Sequence, residues 1–196
     1  VKFILASASP RRRDLLASVG LSFDVLPSNV PEVRQDGEAP EEYVARLSRD
    51  KARALAEAHP SEWVIAADTT VLLGDELLEK PVDAQDAARM LGAIAGKTHL
   101  VYTGVTLQNV EREYHETRVA ESEVRMLPLS AADIAWYIAT GEPFDKAGAY
   151  AVHGIASMFI ESIHGSYTNV VGLPLATLFL MLRRAGLDPL VHGVTQ

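Results

Sequence analysis

Residues 63–78 read Trp63-Val64-Ile65-Ala66-Ala67-Asp68-Thr69-Thr70-Val71-Leu72-Leu73-Gly74-Asp75-Glu76-Leu77-Leu78. The unbroken apolar run from Trp63 to Ala67 has the pattern of a buried strand. Val71 to Leu78 reads as a hairpin turned at Gly74-Asp75, which brings antiparallel pairing into the sheet. Asp68 then falls at the end of the first strand, where the chain leaves the core, flanked by Thr69 and Thr70.

Upstream, residues 3–6 form a short strand that breaks at Ser7-Ala8-Ser9-Pro10, a helix N-cap and first-turn signal. The helix that follows turns Leu15, Leu16 and Val19 inward and stops at Gly20, and residues 21–27 read as a second strand. A long helix starts near Pro40, with Val44, Leu47, Ala54, Leu55 and Ala58 on one stripe, and ends at Pro60. Downstream, the pattern predicts a helix over 83–95 closed by Gly96, and strands over 98–109 and 112–126 that look antiparallel. A helix from Ser130 to 139, a glycine-rich irregular stretch over 141–156, a strand over 157–163 and a last helix over 174–185 complete the chain. Helices and strands mix without strict βαβ alternation. The expected fold class is therefore α/β with a mixed, largely antiparallel sheet rather than a doubly wound parallel one.

The 196 residues suit one domain or a two-lobed one. With 26 Asp plus Glu against 18 Lys plus Arg, the net charge of -8 argues against a nucleic-acid partner, which would need a segregated basic face. No cysteine is present, so disulfides, thiol nucleophiles and cysteine-held metals are excluded, and any metal must use oxygen or histidine ligands. The opening apolar run is too short for a secretory signal, and no run reaches the roughly 18 apolar residues of a membrane span. These features point to the cytoplasm, with no membrane partner.

Three features stand out chemically. Arg11-Arg12-Arg13 sits at a helix N-terminus, where the macrodipole already presents positive charge. Two readings fit: an exposed basic turn answered by Asp14, or a site where Ser7, Ser9, free backbone N–H groups and guanidinium forks take a phosphate chain. Lys51 falls on the apolar stripe of its helix, four residues after Leu47 and four before Leu55. Its ammonium either snorkels to solvent or is aimed at a buried anion. Asp68 either initiates a turn or supplies a carboxylate for Mg²⁺ or for a proton from attacking water. Among the histidines, His153 lies in Gly148-Ala149-Tyr150-Ala151-Val152-His153-Gly154, a loop suited to close backbone approach to a ligand. No histidine pair has zinc-ligand spacing, and Ser166 lacks a nucleophile-elbow pattern.

Leu5-Ala6-Ser7-Ala8-Ser9-Pro10-Arg11-Arg12, with Leu15-Leu16 after it, closely resembles the N-terminal signature of the Maf family. The likeness continues through Arg46-Leu47-Ser48-Arg49-Asp50-Lys51-Ala52, Ala67-Asp68-Thr69, Glu79-Lys80-Pro81, Phe144-Asp145-Lys146-Ala147-Gly148-Ala149-Tyr150 and Asn169-Val170-Val171-Gly172-Leu173-Pro174-Leu175. This resemblance implies one elongated α/β domain over 1–196, similar to the inosine triphosphatases, with two lobes and a central cleft. It implies a homodimeric enzyme that hydrolyses nucleoside triphosphates to monophosphate and pyrophosphate with Mg²⁺ or Mn²⁺. By motif, Asp68 matches the proton acceptor, and Ser7, Arg12, Lys51 and Lys80 match the phosphate-binding set. Glu32 matches an acidic residue that helps Asp68 place the metal.

Arg11 and Thr69 follow the branch that resembles dTTP and UTP pyrophosphatases, not the branch that prefers 7-methylguanosine triphosphate. The chain departs from that branch at His153, where glutamine is usual, and at Asp50, where many members have glutamate. A neutral imidazole, like a glutamine amide, offers both donor and acceptor to a pyrimidine edge, but with different reach. A competing role comes from the family's association with inhibition of septum formation: a regulatory or interaction protein, which would not need Asp68.

Overall fold

The computed structural model of the chain describes residues 1–187. In chain order its regular elements are β1 (Phe3–Leu5), α1 (Pro10–Ser18), β2 (Phe23–Val25), α2 (Pro40–Ala56), β3 (Trp63–Leu73) and β4 (Glu76–Leu78). There follow α3 (Ala84–Ile94), β5 (Thr98–Asn109), β6 (Tyr114–Met126), α4 (Ala131–Ala139), β7 (Ile160–Gly165), α5 (Tyr167–Val171) and α6 (Leu175–Arg184). Three short 3-10 turns, Glu142–Asp145, Ala147–Ala149 and Ile155–Phe159, fill the glycine-rich stretch between α4 and β7. Among the described residues the sheet has seven strands in the order β2-β1-β3-β5-β6-β7, with β4 paired to β3. β1 runs parallel to β2 and β3, whereas β3–β4 and β6–β7 are antiparallel. The architecture is thus the expected mixed α/β one, a sheet flanked by helices.

The chain divides into two compact units. The first holds Val1–Asp68, Thr103–Ala120 and the described residues from Gly172 onward, and the second holds Thr69–Tyr102 and Glu121–Val171.

In the first unit, alternation along two paired strands builds a core on each face of the sheet. Phe3 pairs with Trp63 and Leu5 with Ile65. These residues and Ala67 pack with Leu16, Val105, Leu107, Leu178 and Met181. The intervening Ile4, Ala6, Val64 and Ala66 face the other way, onto Ala52 and Ala56 of α2. Gly104 permits a close approach of β5 to that helix, since a Cβ there would lie 2.3 Å from the Val44 carbonyl oxygen.

In the second unit, Val71 pairs with Leu78 and Leu73 with Glu76, so Gly74 and Asp75 form the two-residue hairpin turn expected. Gly74 has a φ of 59°, the left-handed conformation such turns require. Asp83 caps α3 through the Asp86 N–H, and Ser130 and Asp133 form a capping box on α4. Tyr137 of α4 is fully buried against the Phe159 ring.

Several expectations are corrected. β3 does not end at Ala67 but runs to Leu73, because Thr69, Thr70 and Val71 are β-branched and continue the ladder; Asp68 is a mid-strand residue. Val19 is 45% exposed, since α1 ends at Ser18 before its apolar stripe completes another turn. Ala54 and Ala58 are exposed; the stripe of α2 instead runs through Val44, Leu47, Ser48, Lys51, Ala52 and Ala56. The Ser9 side chain makes no cap; its own N–H donates to the Ser7 hydroxyl at 3.2 Å. The last strand starts at Ile160, after a 3-10 turn, and α5 lies in a stretch where the pattern predicted no element. No helix among the described residues is long and apolar enough to cross a membrane.

Candidate active site

Parity places the central carboxylate. Val64 and Ala66 face α2, so Asp68, two residues further along β3, faces the same way. Lys51 stands on the inward stripe of α2, and its ammonium donates to Asp68 Oδ1 at 2.6 Å. It also donates to Glu32 Oε1 at 2.5 Å. Only 6% of the Lys51 side chain and 10% of the Asp68 side chain meet solvent, which overturns the snorkelling reading: the lysine is aimed at a buried anion. Glu32, at 44% exposed, comes from the irregular segment that precedes α2.

The N-terminal signature supplies the rest of this group. Ser7 follows β1 and is buried, and its hydroxyl accepts from Arg12 Nη1 at 3.2 Å. Arg12 Nε donates to the Gly172 carbonyl at 2.7 Å, joining the opening signature to the Val-Gly-Leu-Pro block. The three arginines separate: Arg13 pairs with Asp14 at 2.9 Å on the surface, as the basic-turn reading has it, while Arg12 turns inward and Arg11 is half-buried.

The electrostatics couple these groups. Burial pushes the Asp68 carboxyl above its ordinary range, opposed first by Lys51 and then by Arg12. Burial likewise lowers the Arg12 guanidinium, opposed by Asp68 and Glu32. Two cations thus balance two carboxylates. A phosphate chain entering here would add several negative charges, and more cations would be needed to neutralise them.

Asp68 and Glu32 are oxygen donors of the type Mg²⁺ or Mn²⁺ takes. Among the described residues no group of three or more His, Cys, Asp or Glu gathers to hold a metal ion by itself. Two carboxylates fit a hard cation that completes its shell with water and substrate phosphates, and do not fit an all-protein cage.

The other sequence-predicted residues belong to the second unit. Thr69 is half-buried on β3, Lys80 is exposed just before the buried Pro81, and His153 is exposed ahead of the Ile155–Phe159 turn. The Gly148 N–H donates to the Glu79 carbonyl at 3.2 Å, which brings the Glu-Lys-Pro motif to the Lys-Ala-Gly-Ala-Tyr motif.

Sequence reasoning gave no role to Glu142 or Arg46. The Glu142 carboxylate accepts from Tyr137 Oη at 2.8 Å and from the Ile155 and Ala156 N–H groups at 2.9 and 3.2 Å, holding the turn that follows His153. These bonds keep Glu142 below the usual carboxylate range despite its burial. Gly154 leaves room for it, since a Cβ there would lie 2.3 Å from Glu142 Oε2. Arg46 opens the Arg-Leu-Ser-Arg-Asp-Lys-Ala motif, but only the fold reveals its partners.

A family profile described as Maf-like protein matches residues 2–185. A dTTP/UTP pyrophosphatase of Myxococcus xanthus is 50% identical over 184 residues, covering 94% of this chain and 92% of that protein. Another from Koribacter versatilis is 50% identical over 183 residues, covering 93% and 94% respectively. Among solved structures, the Ham1 protein of Staphylococcus aureus superposes with a TM-score of 0.53 at 10% identity, over 94% of this chain and 100% of that one. Identity that low speaks for the fold alone, but the profile and the half-identical relatives agree over nearly the whole chain, which therefore belongs to the Maf family.

Proposed function

We propose that this chain is a nucleoside triphosphate pyrophosphatase that hydrolyses dTTP and UTP, and by extension CTP or modified pyrimidine nucleotides, to monophosphate and pyrophosphate. The activity named for its half-identical relatives supports the substrate class. The observation that carries the reaction type is the buried Asp68–Lys51 pair, reached by Glu32 and lying beside Ser7 and Arg12: a desolvated carboxylate next to paired cations.

In this reading Arg12, Lys51 and the Ser7 hydroxyl hold phosphate oxygens, and the two cations stabilise the charge that builds on the leaving pyrophosphate. Asp68 takes the proton of the attacking water, and a carboxyl pushed upward by burial is the better base for it. Mg²⁺ or Mn²⁺, held by Asp68 and Glu32, would supply further charge neutralisation on the phosphates. Lys80 is assigned to phosphate binding, and Arg11, Thr69 and His153 to base choice, from their motif positions. A homodimer acting in the cytoplasm as a house-cleaning enzyme completes the proposal, in keeping with the family resemblance and a cysteine-free chain.

The test is pyrophosphate release from dTTP, UTP, CTP and 7-methyl-GTP with Mg²⁺ or Mn²⁺. Turnover of the pyrimidine nucleotides above 7-methyl-GTP is expected. Release from none of them, in a protein that still binds nucleotide, would leave the regulatory reading in its place.

A further inference from the structure

The segment that carries Glu32 has no helix or strand between β2 and α2, and residues 31–37 are all exposed. A carboxylate on so open a stretch would sample many positions. It is nonetheless held 2.5 Å from Lys51, and Arg46 ties the segment to α2.

Arg46 projects from α2 and grips the segment at two points. Its Nε and Nη2 donate to the two Glu38 carboxylate oxygens at 2.6 and 2.8 Å, a bidentate pair. Nη2 also donates to the Val33 carbonyl at 2.9 Å, one residue from Glu32. The Glu38 side chain is only 8% exposed, and Arg46 holds its carboxyl below the usual range. The segment also closes on itself at the surface: Arg34 donates to the Glu38 carbonyl at 2.9 and 2.6 Å, and the Gln35 N–H to Glu38 Oε2 at 3.1 Å. The Arg46 guanidinium lies over the Tyr43 ring at 5.7 Å, and the Tyr43 hydroxyl reaches the Glu32 carbonyl at 3.4 Å.

We infer that Arg46, through Val33 and Glu38, is a positioning residue that fixes the reach of Glu32 to Lys51 and so completes the candidate active site. The inference rests on the pyrophosphatase reading and adds to it a residue that touches neither substrate nor Asp68. It requires arginine specifically, because the ammonium of a lysine cannot span the carboxylate and the carbonyl with a planar fork.

The experiment is a double-mutant cycle on pyrophosphate release, joined to amide hydrogen exchange on the full chain. Arg46→Met should lower kcat/KM about tenfold in the wild-type background but less than about twofold in Glu32→Gln, since its effect passes through Glu32. Arg46→Lys should not rescue the loss. Exchange at the Gln35 and Glu38 amides should rise about tenfold while α2 stays protected. Glu38→Gln should act in the same direction, and it replaces Arg46→Met if that variant fails to fold. Equal losses with and without Glu32, or unchanged exchange at Gln35 and Glu38, would overturn the inference. A wild-type chain that releases no pyrophosphate defeats the pyrophosphatase reading instead, and the exchange measurement still decides whether Arg46 holds the segment.

Discussion

Lys51 Nζ stands 2.6 Å from Asp68 Oδ1 inside the protein, one on the inward stripe of a helix and the other in mid-strand. Neither partner is tolerable there alone, because an unpaired buried charge costs several kcal/mol. Together each offsets the other's desolvation, and in the proposed reaction a phosphate chain and a proton would redistribute that charge.

Asp68→Asn keeps the shape of the side chain and a hydrogen-bond acceptor for Lys51, so the protein should fold. Without a proton acceptor, pyrophosphate release should fall by about a hundredfold to ten-thousandfold. Nucleotide affinity, measured by calorimetry, should change far less. A variant within about twofold of wild-type turnover would remove Asp68 from the chemistry.

Lys51→Met preserves the apolar contacts of the stripe but leaves Asp68 facing Glu32 with no ammonium between them. Denaturant unfolding at neutral pH should report a loss of about 3 kcal/mol, together with weakened triphosphate binding. The sign with pH follows from Asp68, whose carboxyl is already raised by burial and would lose its largest opposing influence. A raised acid contributes stability that is complete at low pH and lost as pH rises through its folded pKa. The deficit of the variant should therefore shrink on acidification; a pH-independent deficit would contradict the burial of this carboxylate.

His153→Gln puts at this exposed position the side chain that the family resemblance leads one to expect. Hydrolysis should persist, while the ratio of kcat/KM among dTTP, UTP and CTP shifts, because a lost hydrogen bond to one base edge discriminates rather than weakening all substrates alike. Identical ratios would show that base choice lies with Arg11, Thr69 or backbone groups.

His99 on β5 is buried, with Nε2 2.7 Å from the Tyr150 hydroxyl and Nδ1 without a hydrogen bond among the described residues. Burial lowers its pKa from 6.5 to about 4. A depressed histidine contributes stability that is present above its unfolded pKa and lost as pH falls through the folded one. Thermal unfolding should therefore show a decline between about pH 6.5 and 4 that His99→Gln flattens. An unchanged slope in the variant would place the acid sensitivity elsewhere.

Much of this protein was legible in its sequence because the signals involved are local. Gly74-Asp75 announced its hairpin through the backbone freedom of glycine, Ser130 the start of its helix, and Lys51 its inward direction through the helical period. The same local logic misplaced Asp68 at a strand end, because a charged residue after five apolar ones looks like an exit; only pairing along β3 shows the strand continuing past it. Motif identity named Ser7, Arg12, Glu32 and Lys51 but could not say what each one touches. The partners lie 17 residues apart for Lys51 and Asp68, 19 for Lys51 and Glu32, and 160 for Arg12 and Gly172. The grips of Arg46 on Val33 and Glu38 and of Glu142 on Ile155 and Ala156 left no periodic trace at all. Spacing along a chain fixes the face on which a side chain emerges, since that follows from backbone geometry alone. Which charge meets it there depends on how sheet and helix pack, and that was settled by the apolar faces of β1, β3 and α2, which bring Lys51 and Asp68 to one buried spot.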